Sequence, residues 1–533
     1  MSLFAFPRTE TIDMKSAILA IMGTMAAAPV WAALPEPIRV DGGQITGTPA
    51  YAFGVRAYRG IPYAAPPVGN LRWRPPQPVI PWEGVRAADH FSAACMQVPP
   101  RSQNDVFWND GMSPSSEDCL YLNVWTPAKS ASARLPVMVW FHGGGLWQGA
   151  ASEVYYDPSM LAKKGVVVVN MNYRLGVFGF LAHPELTRES ERHVSGNYGF
   201  LDQFTALTWV RNNIAQFGGD PASVTIAGQS AGSASVEYHV ASPRAKGLFK
   251  RAIAQSSAWF GPMTTDLARG EAMGAAFAKQ AGAPSLAALR AMKAEDVAAA
   301  AIKQGRMTTG IVDGWYLPQD FYTIFSAGRQ NDVPLLTGST NDEGSLQGPS
   351  PDTVAAYVEA ARKNFGDLAD EFLKLYPVRS DADVKQAFHD ANRDSTFANP
   401  RTWAQLQTKT GKSGAYLYIF SQTPPYLAGD ALPPMPRGAI HGTDCFYMFN
   451  NLHNKDWPWT EMDRKVGETM SSYWANFVKT GDPNGAGLPR WPAYNSQDGQ
   501  ALNIGNPVRV ETLNQARLDF FSKVNRQRMP PVR

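Results

Sequence analysis

The stretch 223–233 constrains the fold more than any other part of this chain of 533 residues. Residues 223–227 have the β-branched bias of a buried strand, and residues 231–240 favour a helix. Gly228 and Gly232 flank Ser230, as expected for a sharp turn with no room for a side chain on either side. The stretch predicts a strand, a strained turn and a helix, with the Ser230 hydroxyl exposed at the turn.

Strand and helix patterns alternate around this turn. Hydrophobic runs over 136–141 and 165–171 predict strands, and the second is almost pure valine, as in strands buried on both faces of a parallel sheet. Helical spacing of apolar residues predicts a helix over 202–217, and runs over 333–337 and 415–420 predict later strands. The order indicates an α/β fold, with a central, mostly parallel sheet flanked by helices.

Other segments predict smaller features. Alternating residues over 38–50 predict small antiparallel strands near the N-terminus. The proline-rich stretch 59–67 predicts an ordered surface segment rather than a strand, because proline lacks a backbone donor. An alanine-rich stretch over 267–303 predicts several short helices outside the sheet, and Thr460 is a candidate cap for a helix through Phe477.

The N-terminal residues predict a secretory signal. A lysine precedes an apolar run over 17–28, and residues 30–32 have the pattern of a cleavage site. We therefore predict a signal peptide over 1–32, one catalytic domain over 33–533, and export to the periplasm or the medium. An uncleaved anchor is the alternative, although the run is short for a membrane span.

Composition argues against several other classes of protein. Hydrophobic residues make up 44% and charged residues 18%, which suits a folded enzyme and not a disordered chain. The formal net charge is +3 and no basic block occurs, so we expect no nucleic acid partner. No zinc-type spacing of cysteine or histidine occurs, so we expect no metal and no cofactor. No segment after the signal is apolar enough to be an integral membrane segment.

The three cysteines fit an exported protein with one disulfide. Cys95 and Cys119 bracket a polar loop, and a bridge between them would stabilise the fold by about 3 kcal/mol in the chain-entropy model. Cys445 lies among aromatic residues, which predicts a buried free thiol.

A serine becomes a good nucleophile only when a base removes its proton, and histidine does this well near neutral pH. In folds of this class the acid and then the base follow the serine on later loops. Among the late histidines, His389 and His453 lie in polar segments, whereas His441 follows a predicted strand and has Gly438 and Gly442 around it. We therefore predict His441 as the base.

Two carboxylates qualify as the third group, which orients the imidazole. Asp342 and Glu343 both follow the predicted strand over 333–337, and spacing does not choose between them. The backbone N–H groups of Gly143, Gly144 and Ala231 are predicted to form an oxyanion hole, because a triple glycine after a central strand exposes its donors.

With these residues in place, the chain resembles the type-B carboxylesterase and lipase family, the cholinesterase-like branch of the α/β-hydrolases. The resemblance runs from about residue 39 to the C-terminal region and rests on the motifs at 59–67, 117–124, 142–145, 196–203, 228–233, 341–345, 438–442 and 474–484. It implies an α/β-hydrolase fold with helical excursions over the active site.

The family places its acid before the glycine of an Asp-Glu-Gly-Ser segment, so the resemblance selects Glu343. It also supports His441, the three oxyanion donors and the disulfide between Cys95 and Cys119. In the family the loop closed by that bridge lies over the active-site gorge, which makes Phe107 and Trp108 candidates for its mouth.

Further residues follow from the same resemblance. Ser256 matches a family serine near the triad and is expected to support it without touching the substrate. The candidate walls of the acyl pocket are Leu146, Trp147, Trp259 and Phe260. Cholinesterases carry glutamate before the nucleophile, whereas Gln229 is neutral here, so a preference for choline esters is not expected.

The sequence thus predicts an exported serine hydrolase that cleaves small-molecule carboxylic esters through an acyl-enzyme, with Ser230, His441 and Glu343 as its triad. Two alternatives stay open: an amidase or acyltransferase with the same triad, and a non-catalytic binding protein of the same fold.

Overall fold

The structure is a computed structural model, and it describes residues 34–49, 52–97, 111–256, 258, 260–261, 264–304, 310–343, 350–427 and 438–529. The predicted signal peptide over 1–32 lies outside the described residues. The pocket candidates Phe107, Trp108 and Trp259 also lie outside them.

The β-strands alternate with helices along most of the chain, as the sequence pattern predicts. In chain order they are β1 (Ile38–Val40), β2 (Gly43–Thr46), β3 (Arg56–Pro62), β4 (Val85–Ala87), β5 (Ala94–Cys95), β6 (Ser115–Ser116), β7 (Tyr121–Thr126), β8 (Leu135–Phe141), β9 (Val167–Met171), β10 (Gly219–Gln229), β11 (Arg251–Gln255), β12 (Thr264–Asp266), β13 (Gly310–Val312), β14 (Leu335–Thr340), β15 (Ala415–Phe420), β16 (Gln500–Ile504) and β17 (Arg509–Thr512).

Ten of these strands form the central sheet, in the order β17-β16-β15-β14-β11-β10-β8-β9-β7-β3. All neighbours from β16 to β9 are parallel, and β17, β7 and β3 pair antiparallel at the two edges. The carboxyl ends of the parallel strands therefore lie along one edge of the sheet, where this class of fold places its sites.

Helices cover both faces of the sheet. The α-helices span Ser159–Ala162, Gly176–Phe180, Pro184–Glu189, Tyr198–Asn213, Ala231–Ala241, Leu267–Gln280, Leu286–Ala291, Ala294–Gln304, Phe321–Ser326, Val354–Phe365, Ala369–Leu375, Asp381–Thr410, Asp444–Phe449, Glu461–Thr480 and Gln515–Arg528. Successive side chains of a strand point to opposite faces. In β8, Val139 therefore packs into the core with helix Ala231–Ala241, and Trp140 packs into the core with helix Glu461–Thr480.

The small N-terminal sheet contains β1, β2 and β4. β1 and β2 pair antiparallel, as the pattern over 38–50 predicts, and β4 joins β2 in parallel. The prediction for 59–67 is partly wrong, because β3 includes Arg56–Pro62. β3 is the edge strand, where a proline at the last position costs little pairing, and Gly60 has a φ of 71° at an irregularity in its register.

Two further features concern stability and location. Cys95 and Cys119 form a disulfide, and Cys445 is a buried free cysteine. Among the helices of the described ranges, none has both the length and the apolar character needed to cross a membrane.

Candidate active site

The turn after β10 is built on close backbone contacts. Ser230 has φ 58° and ψ −122°, and its N–H donates a hydrogen bond to the Gln255 carbonyl over 2.8 Å. A Cβ on Gly228 would lie 2.4 Å from the backbone of Gly232, and a Cβ on Gly232 would lie 2.0 Å from the Phe141 carbonyl oxygen. Two glycines are therefore required here, and the serine between them has a backbone conformation that residues other than glycine rarely adopt.

Glu343 and His441 meet from two neighbouring strands. Glu343 follows β14 and His441 follows β15, and the Glu343 Oε2 atom forms a short hydrogen bond with His441 Nδ1. The other carboxylate oxygen accepts the Thr340 N–H over 3.0 Å. Both oxygens of this buried carboxylate are thus held by donors, and the imidazole ring is oriented by one of them.

Their shared burial sets the electrostatics. Burial would raise the pKa of Glu343, but the charge and hydrogen bond of His441 outweigh it and lower the pKa below its ordinary value. Burial likewise would lower the pKa of His441, but the Glu343 carboxylate outweighs it and raises the pKa. The pair therefore favours a carboxylate beside a histidine that readily accepts a second proton.

The far nitrogen of His441 points to the turn that carries Ser230. His441 Nε2 lies 3.1 Å from the side-chain nitrogen of Gln229, the residue before the serine. Since Nδ1–H donates to Glu343, Nε2 carries the lone pair and accepts a hydrogen bond from the Gln229 amide. The structure thus brings Gln229, Glu343 and His441 together at the carboxyl ends of β10, β14 and β15.

Asp342 and His389, which were the alternatives to Glu343 and His441 in the sequence, also contact each other. Asp342 Oδ1 lies 2.6 Å from His389 Nε2. The exposed His453 lies elsewhere, with its ring against Phe53. Among the described residues, Asp342 and Glu343 each pair with a histidine, and of these two pairs that of Glu343 contacts the residue before Ser230.

The three glycines of the loop after β8 have different hydrogen-bond partners. The Gly143 N–H, a predicted oxyanion donor, already donates to the Tyr156 hydroxyl over 2.9 Å. The N–H groups of Gly144, Gly145 and Ala231 have no hydrogen-bond acceptor among the described residues. Gly144 is partly buried and Gly145 is exposed, with φ values of 101° and 64°. The sequence did not single out Gly145, because the hydrogen bond of Gly143 depends on a tyrosine further along the chain.

Other side chains hold this loop in place. Gln97 accepts the Gly149 N–H over 2.9 Å and donates to the Gly149 carbonyl over 3.0 Å. His142 stacks on Tyr173 with ring centroids 4.3 Å apart, and burial lowers its pKa to about 4. His142 is therefore a neutral packing residue, and neither it nor Gln97 carried a sequence signal for this role.

The remaining predicted residues have different surroundings. Trp147 is partly exposed, with its indole nitrogen against Gly145, and Leu146 is buried. Phe260 is buried and packs edge-on against Phe325 and Trp403, and its assignment as a pocket wall stays a prediction. The Ser256 N–H donates over 2.8 Å to the carbonyl of Gly338 in β14, the strand that leads to Glu343.

Within the described ranges, no group of three or more histidine, cysteine or acidic side chains is arranged to hold a metal ion.

Comparison with known proteins gives the class. The model of the carboxylesterase family matches residues 35–521, and the chain belongs to this family and has its α/β-hydrolase fold. It is 36% identical over 497 residues to the fumonisin B1 esterase of Sphingopyxis macrogoltabida, covering 90% of this chain and 89% of that one. It is 34% identical over 530 residues to the cocaine esterase of Homo sapiens, covering 93% and 92%, and 32% identical over 520 residues to carboxylesterase 1F of Mus musculus, covering 89% and 91%. The protein is a carboxylic ester hydrolase, and its substrate is a small-molecule ester.

Proposed function

We propose that this hydrolase works through an acyl-enzyme on Ser230, with His441 as the general base and acid and Glu343 as the orienting carboxylate. The observation that carries the proposal is the row of hydrogen bonds from Glu343 through His441 to Gln229, which ends beside Ser230. A base next to a nucleophile on a strained turn, with a carboxylate behind it, is the arrangement that serine hydrolysis requires.

The chemistry follows from these positions. The Ser230 hydroxyl replaces the Gln229 amide as the hydrogen-bond donor to His441 Nε2. This nitrogen then takes the hydroxyl proton as Oγ attacks the ester carbonyl. Glu343 stabilises the imidazolium that forms and does not take its proton. The imidazolium then protonates the leaving alcohol, and a water molecule activated by the same nitrogen releases the acid.

The developing negative charge needs donors that are already in place. We propose the N–H groups of Gly144, Gly145 and Ala231, which have no acceptor among the described residues and follow β8 and the nucleophile. Removal of one such donor typically costs about 3 kcal/mol of transition-state stabilisation. Tyr156 contributes indirectly, because its hydrogen bond to Gly143 fixes where the next two N–H groups lie.

The substrate and the location are also proposals. The relatives named fumonisin B1 esterase and cocaine esterase, together with the neutral Gln229, favour an ester other than a choline ester. Export is supported by the apolar run over 17–28 and by the disulfide between Cys95 and Cys119, because disulfides persist in oxidising compartments. The mass of the mature protein recovered from the periplasm tests removal of residues 1–32 as a signal peptide and retention of 33–533 as one catalytic domain.

Replacement of the nucleophile tests the mechanism. We expect Ser230→Ala to lower kcat for p-nitrophenyl acetate by at least about 10³-fold with unchanged folding, whereas the exposed control Ser132→Ala keeps full activity. An organophosphonate should label Ser230 stoichiometrically, and an unlabelled folded protein would favour the non-catalytic alternative. Product analysis with competing amines and alcohols distinguishes hydrolysis from acyl transfer, and amide substrates test the amidase alternative.

A further inference from the structure

Asp342 joins a helix to the loop that carries His441. Its Oδ1 atom lies 2.6 Å from His389 Nε2, on helix Asp381–Thr410, and its Oδ2 atom accepts the Ala439 N–H over 2.8 Å. Its own N–H donates to the Ala439 carbonyl over 3.1 Å. One residue is therefore hydrogen-bonded to both backbone groups of a position two residues before His441.

The fit at this point is close. A Cβ on Gly438 would lie 2.3 Å from Asp342 Oδ2, so only a glycine lets the carboxylate approach the loop. Asp342 also forms an isolated parallel bridge with Ile440. Because Asp342 precedes Glu343 and Ile440 precedes His441, the bridge lies directly before both members of the catalytic pair. A shift of Asp342 would move the carboxylate and the imidazole relative to each other.

The surroundings of His389 favour its charged form. Asp342 faces it from the loop after β14, and Asp390 on its own helix lies 3.7 Å from Nδ1. Arg517, from helix Gln515–Arg528, lies 3.3 Å from Asp390 and balances part of that charge. The hydrogen bond to Asp342 and then the nearby Asp390 carboxylate raise the pKa of His389 to about 9, so the contact with Asp342 is an ion pair at neutral pH.

We propose that His389 is a positioning residue of the active site: through Asp342 it holds the loop at Ala439, and so keeps His441 aligned with Glu343. The inference rests on the triad proposed above. His389 touches no reacting group, because its ring contacts Asp342 and Asp390 and not the Gln229–Ser230 turn. Its loss should therefore lower kcat and leave KM nearly unchanged, since substrate binding does not use this pair.

The variant His389→Leu removes the ion pair, and His389→Lys restores a cation. A misplacement of about 1 Å in a catalytic group can cost up to about 100-fold in rate, so we expect kcat of His389→Leu to fall about tenfold, with KM within about twofold of the wild type. We expect His389→Lys to recover most of that loss. The matched control is His453→Gln, at an exposed histidine outside both pairs, and it should behave as the wild type.

The pH profile separates positioning from a general loss of stability. A raised pKa means that the ion pair is complete well below pH 9 and is lost as the pH rises through about 9. Wild-type kcat, corrected for spontaneous hydrolysis, should fall over that range. The already impaired His389→Leu should lack this alkaline decrease, and in His389→Lys the decrease should occur at higher pH. Because the leucine variant could fold poorly, the downfield NMR resonance of the His441 Nδ1–H proton is recorded as well, and it should weaken in His389→Leu and return in His389→Lys.

Three results would overturn the proposal: an unchanged kcat in folded His389→Leu, an equal change in KM and kcat, or an alkaline limb that is the same in all variants. Failure of the triad itself gives a different result. If Ser230→Ala retained activity, the catalytic assignment would be wrong whatever His389→Leu does.

Discussion

Gly232→Ala tests the contact on which the turn at Ser230, the proposed nucleophile, depends. Gly232 lies in helix Ala231–Ala241 without a positive φ, so alanine would ordinarily favour the helix by about 1 kcal/mol. The added Cβ would instead lie 2.0 Å from the Phe141 carbonyl oxygen and 3.0 Å from that of His142, whereas real Cβ contacts essentially never fall below 3.0 Å. The helix start or the end of β8 must therefore move by 3.0 − 2.0 = 1.0 Å.

Such overpacking costs about 3 kcal/mol, which leaves a net loss of about 2 kcal/mol after the helix propensity is included. Unfolding entropy is about 2 cal/mol/K per residue, or about 1 kcal/mol/K for a chain of about 500 residues, so Tm should fall by about 2 °C. Activity should suffer more. Phe141 leads directly into the loop with Gly144, and a displacement of about 1 Å at the proposed oxyanion donors can cost about 100-fold in kcat.

The measurements are thermal unfolding and kcat with p-nitrophenyl acetate. The matched control is Gly414→Ala, because a Cβ at Gly414 meets no atom within 4 Å and no positive φ is involved. We expect that control to keep the wild-type Tm and kcat. Wild-type values of both quantities in Gly232→Ala would refute the inference that this turn is built on a contact with no space for a side chain.

Two further predictions concern buried ionic pairs. Because Glu343 raises the pKa of His441 above its ordinary value of 6.5, wild-type kcat/KM should fall to half its maximum at a pH above 6.5 as acid protonates Nε2. Glu343→Gln should move that midpoint to lower pH and lower kcat by about 10²- to 10⁴-fold. A pH series of kcat and kcat/KM measures both effects, and an unmoved midpoint contradicts the pairing. Asp202 accepts two hydrogen bonds of 2.7 and 2.8 Å from the Arg174 guanidinium, and both side chains are buried. Asp202→Asn leaves that charge unpaired and should cost about 3–5 kcal/mol, seen as a lower Tm with the kcat of the remaining folded enzyme little changed.

Local sequence signals predicted the elements that depend on local physics. The predicted strand over 415–420 coincides with β15, and Thr460 caps helix Glu461–Thr480 through a reciprocal capping box with Asp463. Helix Asp381–Thr410 is not among the predicted elements, because it contains Pro400 and many polar residues and is stabilised by packing on β14, β15 and helix Gln515–Arg528. Periodicity records which residues are apolar, and therefore underestimates elements whose polar groups are buried by tertiary contacts.

The choice between Asp342 and Glu343 shows the same limit at the site. The two carboxylates are consecutive, so after a strand they point in different directions, and sequence spacing cannot say which direction faces which histidine. In the structure both carboxylates find a histidine, and the Gln229 contact identifies the pair nearest the nucleophile. Resemblance to a family selected Glu343 before any geometry was known, but it gave no indication of what Asp342 does.

The triple glycine shows a further limit of sequence reasoning, and the limit has a physical reason. A run of three glycines offers three N–H groups, and nothing in the run tells which of them face the substrate. The positive φ values of Gly144 and Gly145 turn the chain after Gly143, whose N–H instead bonds to the Tyr156 hydroxyl. A run of glycines is flexible, so a hydrogen bond from one N–H group to a fixed side chain is needed to keep the other N–H groups in one orientation. The hydrogen bond to Tyr156 is therefore the reason for proposing Gly144 and Gly145 as donors, where the sequence predicts Gly143 and Gly144.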